Sequence, residues 1–148
     1  MSSSFIKLIP TDPSFVPVGI AQENVKRFLS QRYTDDQVEF ISYEHAEFID
    51  QGQNFESVSC NLCGNKLDIE YWQTTMDEAY EGQFVNLMFA TPCCKKKTSL
   101  NDLTYEQPAG FARHVICISD PQKALTKDDI EELQNILRTK LRIIWAHY

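Results

Sequence analysis

The chain has little of what would place it in a special class. Its 148 residues include only 5 glycines and 6 prolines, too few for a collagen-like or low-complexity chain. Apolar residues at 43% and charged residues at 24% exclude a disordered polyelectrolyte. Apolar runs are short: residues 87–90, 115–118 and 143–146 fall far below the roughly twenty that a membrane-spanning helix needs. The apolar stretch that starts at Phe5 is interrupted by Lys7 and stopped by Pro10 and Asp12, so no signal peptide is expected and a cytoplasmic location is. Basic residues are also scarce. Against 14 Lys and Arg stand 21 Asp and Glu, a net charge of −7 that disfavours general binding to nucleic acid or to anionic membranes. Signature motifs are missing too: there is no Gly-rich phosphate loop, no Gly-x-Ser-x-Gly elbow and no His-Glu-x-x-His helix.

What remains is the composition of one globular domain spanning residues 1–148, in which elements of both kinds can be read. Phe5-Ile-Lys-Leu-Ile9 is rich in β-formers and predicts a first strand. Pro17 can open a helix over residues 18–32, with Ile20, Val25, Phe28 and Leu29 on its apolar face. Residues 38–43, and in similar style 44–50, predict strand; Gly52 suggests a hairpin leading into a strand over 55–60. Helical spacing of Trp72, Met76, Ala79 and Tyr80 covers residues 67–81, with Gly82 as the stop. Further strands are expected over 84–90 and 111–119, separated by an irregular stretch. A last helix starts at Thr126, which with Asp129 forms a capping box, and its stripe runs Ile130, Leu133, Leu137, Leu141, Ile144, Tyr148. His147 then reads as a cation at the helix C-terminus. The expected fold is α+β: a largely antiparallel sheet of about five strands, two or three helices on one face, and a zinc knuckle.

Five cysteines in a chain without an export signal are expected to be reduced, and four of them cluster. Cys60 and Cys63 flank two residues and precede Gly64, a spacing that converges two thiolates on one metal, with the glycine free to turn at positive φ. Cys93 and Cys94 are adjacent. Both can reach one ion only if the backbone bends there, which Pro92 before them and three lysines after them favour. Together the four make a closed Cys₄ zinc site. Two alternatives stay open: Cys93 buried in the core with His114 or His45 as fourth ligand, or a water at the fourth position. Cys117, among apolar strand neighbours, is expected to pack only. Lys95, Lys96 and Lys97 can offset the charge of the thiolates. Asn101, Asp102 and Tyr105 either line a pocket near the metal or serve a turn and the core, the second reading being preferred.

Two stretches carry a resemblance. Gly52-Gln-Asn-Phe-Glu-Ser-Val-Ser-Cys-Asn-Leu-Cys-Gly64, and Pro92-Cys-Cys through Ser99-Leu-Asn-Asp-Leu-Thr-Tyr105 to Pro108-Ala-Gly-Phe-Ala112, resemble a family of small uncharacterised bacterial proteins over nearly the whole chain. Members tend to have Pro where this chain has Asn61 and Gly where it has Lys95. The resemblance implies a bacterial, cytoplasmic origin and zinc, and brings no activity with it. The functional expectation is a non-catalytic, zinc-stabilised binding or adaptor module whose acidic surface suits a basic protein partner, as an immunity protein neutralising a basic nuclease would be. The alternative is a small zinc-dependent hydrolase or deaminase-like enzyme with an open metal position, though the His-x-Glu of zinc deaminases is missing. Charge is uneven: residues 1–94 hold five bases and fourteen acids, while 95–148 hold nine bases and seven acids.

Overall fold

A computed structural model describes residues 3–148 and has an α+β architecture. Its main sheet has four strands in the order β2-β7-β1-β8, where β1 is Ser4–Pro10, β2 Val38–Ile49, β7 Gly110–Ser119 and β8 Leu141–His147. Every pairing in it is antiparallel. The first strand forms where the Phe5–Ile9 pattern predicts it, and it lies between two partners from the far end of the chain. Helices α1 (Gly19–Ser30) and α3 (Lys127–Leu137) pack on one face. There Val25, Leu29, Leu133 and Leu137 meet Ile6, Leu8, Ile116 and Ile118 in a dry cluster. Arg32 crosses to Asp129 at 2.7 Å and holds that carboxyl below the usual range. No helix among the described residues is long and apolar enough to cross a membrane.

The middle of the chain forms a second cluster at one end of the sheet. It holds α2 (Ile69–Glu81) and two short ladders, β3 (Val58–Ser59) with β6 (Thr104–Tyr105) and β4 (Met88–Ala90) with β5 (Lys97–Ser99). Trp72 is its centre. Phe55 stacks on the indole at 5.5 Å, Phe48 and Tyr105 meet it edge-on, and the indole N–H donates to the Tyr105 hydroxyl at 3.3 Å. That hydroxyl donates onward to the Leu100 carbonyl at 2.8 Å, so the aromatic core keeps its polar atoms paired.

The α+β fold is the one expected: an antiparallel sheet of four strands beside two small ladders, with α1 and α3 on one face and α2 in the second cluster. Individual elements need correction. Helix α3 begins with its Thr126–Asp129 capping box but ends at Leu137, where Arg138 takes a left-handed conformation (φ 58°). Residues Leu141–His147 are strand β8, running the full length of β1. The helix-like apolar spacing across 137–144 is a coincidence of two elements: Leu141 belongs to the helix-covered cluster and Ile144 to another on the sheet. His147 is therefore no helix cap, and its Nδ1 lies 3.0 Å from the Ser4 hydroxyl. Gly52 makes no hairpin either. At φ 60° it bridges His147 of β8, where an added Cβ would stand 2.3 Å from that carbonyl oxygen. Finally, the strand expected over 84–90 shrinks to β4, because Gln83 and Phe84 are both left-handed (φ 57° and 55°) and carry the chain around Gly82. On α1 the buried residues are Ala21, Val25 and Leu29, while Ile20 is exposed.

Candidate metal centre

Two turns of the second cluster bring four cysteines together, and both turns use one backbone plan. In the first, the Cys60 amide donates to the Asn65 carbonyl at 2.8 Å and the Gly64 amide returns to the Cys60 carbonyl at 2.9 Å, with Gly64 at φ 82°. In the second, the Thr91 amide donates to the Lys96 carbonyl at 3.1 Å and the Lys95 amide returns to the Thr91 carbonyl at 2.9 Å, with Lys95 at φ 58°. Laid on one another, Cys-Asn-Leu-Cys-Gly matches Thr-Pro-Cys-Cys-Lys. Thr91 stands where Cys60 does, Cys94 where Cys63 does, and Cys93 at the site of Leu62. Each turn closes a strand pair: Ser59 bridges Lys66 below the first, and Ala90 pairs with Lys97 below the second. The Thr98 hydroxyl donates to the Asn61 side-chain oxygen at 2.9 Å and ties the two turns together.

The bend that adjacent cysteines require is thus the turn at 91–95. Cys60, Cys63, Cys93 and Cys94 have their sulfurs all within 4.8 Å of one another, an arrangement that can hold a metal ion. Cys60 Sγ is 3.8 Å from Cys94 Sγ, and Cys63 Sγ is 3.2 Å from Cys93 Sγ. Cys60 is fully buried, Cys94 partly so, and Cys63 and Cys93 are exposed, so Cys93 is not the core residue that one alternative required. Neither His45 nor His114 belongs to the cluster. His45 sits on β2, and buried His114 on β7 meets the Ser42 hydroxyl through Nδ1 at 3.0 Å. Cys117 is buried on β7 as a packing residue, and burial pushes its thiol up.

Electrostatics separate the first pair of thiols. Burial opposes ionisation of Cys60, but the amide hydrogens of Cys63 and Leu62, with donation from Cys93 and Thr91, outweigh it and hold this thiol at about 6. The amide of Asn65 favours the Cys63 thiolate; its bond to Cys93, burial and the neighbouring Cys60 sulfur overcome that and push it up to about 11. Of this pair, Cys60 thus ionises readily and Cys63 resists ionisation beside it. Lys95, Lys96 and Lys97 are exposed, and none donates to a sulfur among the described residues.

Sequence reasoning missed Thr91, which is 1% exposed with its hydroxyl 3.0 Å from Cys94 Sγ. The signal was available in the alignment of the two five-residue turns. Asn101, a candidate for lining a pocket near the thiols, is instead a buried structural hub. It accepts from the Phe111 amide at 2.9 Å, donates to the Thr11 carbonyl at 3.1 Å, and shares Arg142 with the Ala109 carbonyl. Tyr105 is a core residue and Asp102 lies in a turn, as the preferred reading had them. In comparisons with known proteins, no family model, curated protein or solved structure matches this chain.

Proposed function

We propose that the protein is a non-catalytic binding module whose second cluster is held by structural zinc. The observation that carries this reading is the donor set: four thiols of the chain itself converge within 4.8 Å, leaving no corner of a tetrahedron for water. Zinc–sulfur bonds of about 2.3 Å imply sulfur–sulfur edges of about 3.8 Å, the separation of Cys60 and Cys94. Soft thiolates favour zinc over magnesium or calcium. Five unpaired cysteines suit a reducing, cytoplasmic setting.

The surface supports a basic protein partner. Glu70, Asp77, Glu78 and Glu81 fall along the solvent side of α2, all exposed, with exposed Tyr71 and Tyr80 beside them. Acidic charge steers a cationic partner and tyrosine supplies contact area. Purified protein should contain one zinc per chain by elemental analysis, and Cys93→Ser and Cys94→Ser should each lose metal and loosen the fold. Changing the four acids of α2 to their amides should abolish salt-sensitive binding of a basic protein without touching metal content.

One observation favours the enzyme reading: Cys93 is exposed and stands outside the two-cysteine pattern of the first turn. If Cys93→Ser retains tight zinc, the fourth position is open to water and hydrolase assays become the test.

A further inference from the structure

We infer that the protein carries a second site, separate from the thiols, for a small zwitterion of the amino-acid class bearing an apolar side chain. The site is a cleft of about 480 Å³ where the second cluster meets the main sheet, a size and a position common for small-molecule sites. Two irregularities of the backbone build it. Between the pairs Ser42–His114 and Glu47–Ala112, β2 spends residues 43–46 opposite the single Arg113 of β7. An ordinary bulge inserts one residue; this one inserts three and carries Glu44, His45 and Ala46 to the cleft. Across from it, the successive left-handed residues Gln83 and Phe84 place Val85 and Met88 on the wall, 77% and 54% exposed. Left-handed backbone at consecutive non-glycine residues is uncommon, and such strain gathers at sites of function.

The charges of the lining decide the ligand. Arg113 is half-buried, and its Nε donates to the Tyr43 carbonyl at 3.1 Å, which holds the bulge. Its two terminal nitrogens have no partner among the described residues, and it makes no ion pair there. Among the described residues Asp12 and Glu44 also line the cleft without a cationic partner, Asp12 accepting from the Ser14 amide and hydroxyl on one oxygen. An anion alone would meet two carboxylates, and a cation alone would meet the guanidinium. A molecule with both charges satisfies both: its carboxylate on the free fork of Arg113, its ammonium between Asp12 and Glu44, its side chain against Val85 and Met88. The inference does not rest on zinc or on a protein partner, although Met88 and Ser99 of the cleft stand on the hairpin whose tip carries Cys93 and Cys94.

The test is a titration of the purified metal-loaded protein with L-phenylalanine and with the dipeptide phenylalanyl-leucine, followed by amide chemical shifts. N-acetyl-phenylalanine and phenylalanine amide, each with one charge, are the controls. Shifts should gather at Asp12, His45, Val85 and Met88, saturate below about 10 mM, and weaken by at least about tenfold for both capped forms. Whichever of the amino acid and the dipeptide binds more tightly fixes the ligand's length. Arg113→Gln should lose binding by a similar factor. Because Arg113 also holds the bulge, Val85→Asp provides a second variant at an exposed position, expected to weaken binding while leaving the melt unchanged. Absence of saturable shifts for both zwitterions, equal binding of the capped forms, or full binding by a folded Arg113→Gln or Val85→Asp protein would overturn the inference.

Discussion

The turns at 60–64 and 91–95 share their backbone hydrogen bonds and differ in nearly every side chain. The first meets the demands of its shape: glycine at the positive-φ position, and two cysteines at the turn's ends. The second breaks both conventions, with lysine at φ 58° and a threonine in place of the first cysteine, its extra thiol coming from Cys93 one step out of pattern. What differs is the means of placing a sulfur. Cys60 is buried and accepts the Leu62 amide at 3.4 Å, whereas Cys93 is exposed and meets other sulfurs of the cluster, that of Cys63 at 3.2 Å. Both turns are built by the same backbone bonds, but only the first aims a backbone amide at its own buried sulfur.

The largest effect should come from the buried corner. Structural zinc contributes about 10–16 kcal/mol of apparent binding energy, comparable with the whole stability of a typical domain. Cys60→Ser should therefore lose metal and melt the second cluster, read as loss of the Trp72 near-ultraviolet signal. The four-stranded sheet, whose helix-covered cluster contains no residue of these turns, should lose its signal later. Cys93→Ser should also lose metal but loosen the cluster less, since an exposed sulfur outside the turn's own hydrogen bonds takes no buried packing with it. Equal damage from the two variants would erase the asymmetry between the turns.

Acid should act through the same corner. Zinc binds thiolates, so protons compete with it, and lowering the pH through about 6 protonates Cys60 in the metal-free protein. Metal retention should be steady near neutrality and fall as the pH drops, and loading metal-free protein at pH 7 should release a proton from Cys63, whose thiol is pushed up to about 11, and little from Cys60. A weakly buffered titration with a pH indicator measures this. Loading without proton release would overturn the assignment of Cys63 as protonated in the metal-free protein.

Threonine 91 gives a smaller effect. Its hydroxyl is buried against Cys94 Sγ, and Thr91→Val keeps the shape while removing the donor, at a cost of about 1–2 kcal/mol in stability of the metal-loaded protein. Chemical denaturation of the holoprotein reads it directly.

How far these features were legible depended on whether the deciding interaction was local. The cysteine pairs could be read because metal chemistry is written into residue type and short spacing, and the start of α3 because Thr126 and Asp129 cap it within one turn. Its end was not legible. Leu141–His147 is strand because β1, at the other end of the chain, pairs along its whole length, and no window of sequence contains both. Gly52 misled for the same reason, its partner being His147 rather than its neighbours. The bulge that carries His45 to the cleft is set by its pairing with β7 and leaves no mark in the alternation of 38–49. Thr91 stood within reach: its equivalence to Cys60 is local, but a cysteine search skips a threonine.

The smallest effect is the sharpest test of the comparison, because the two turns should respond with opposite signs at one backbone position. Gly64→Ala adds a Cβ at φ 82° where nothing lies within 4 Å, so its cost is conformational alone, about 1 kcal/mol. Lys95→Gly relieves the same strain, about 1–2 kcal/mol, and gives back about 0.5–1 kcal/mol through the greater freedom of glycine in the unfolded chain. The remainder is a gain of about 0.5 kcal/mol. The substitution also removes a positive charge beside four sulfurs, which works the other way. Lys96→Gln removes a neighbouring charge at a residue outside the left-handed region, so subtracting its effect isolates the backbone contribution. If Lys95→Gly still destabilises the holoprotein after that correction, the lysine is held at positive φ by a contact with the loaded metal site, and the second turn would be as deliberately built as the first.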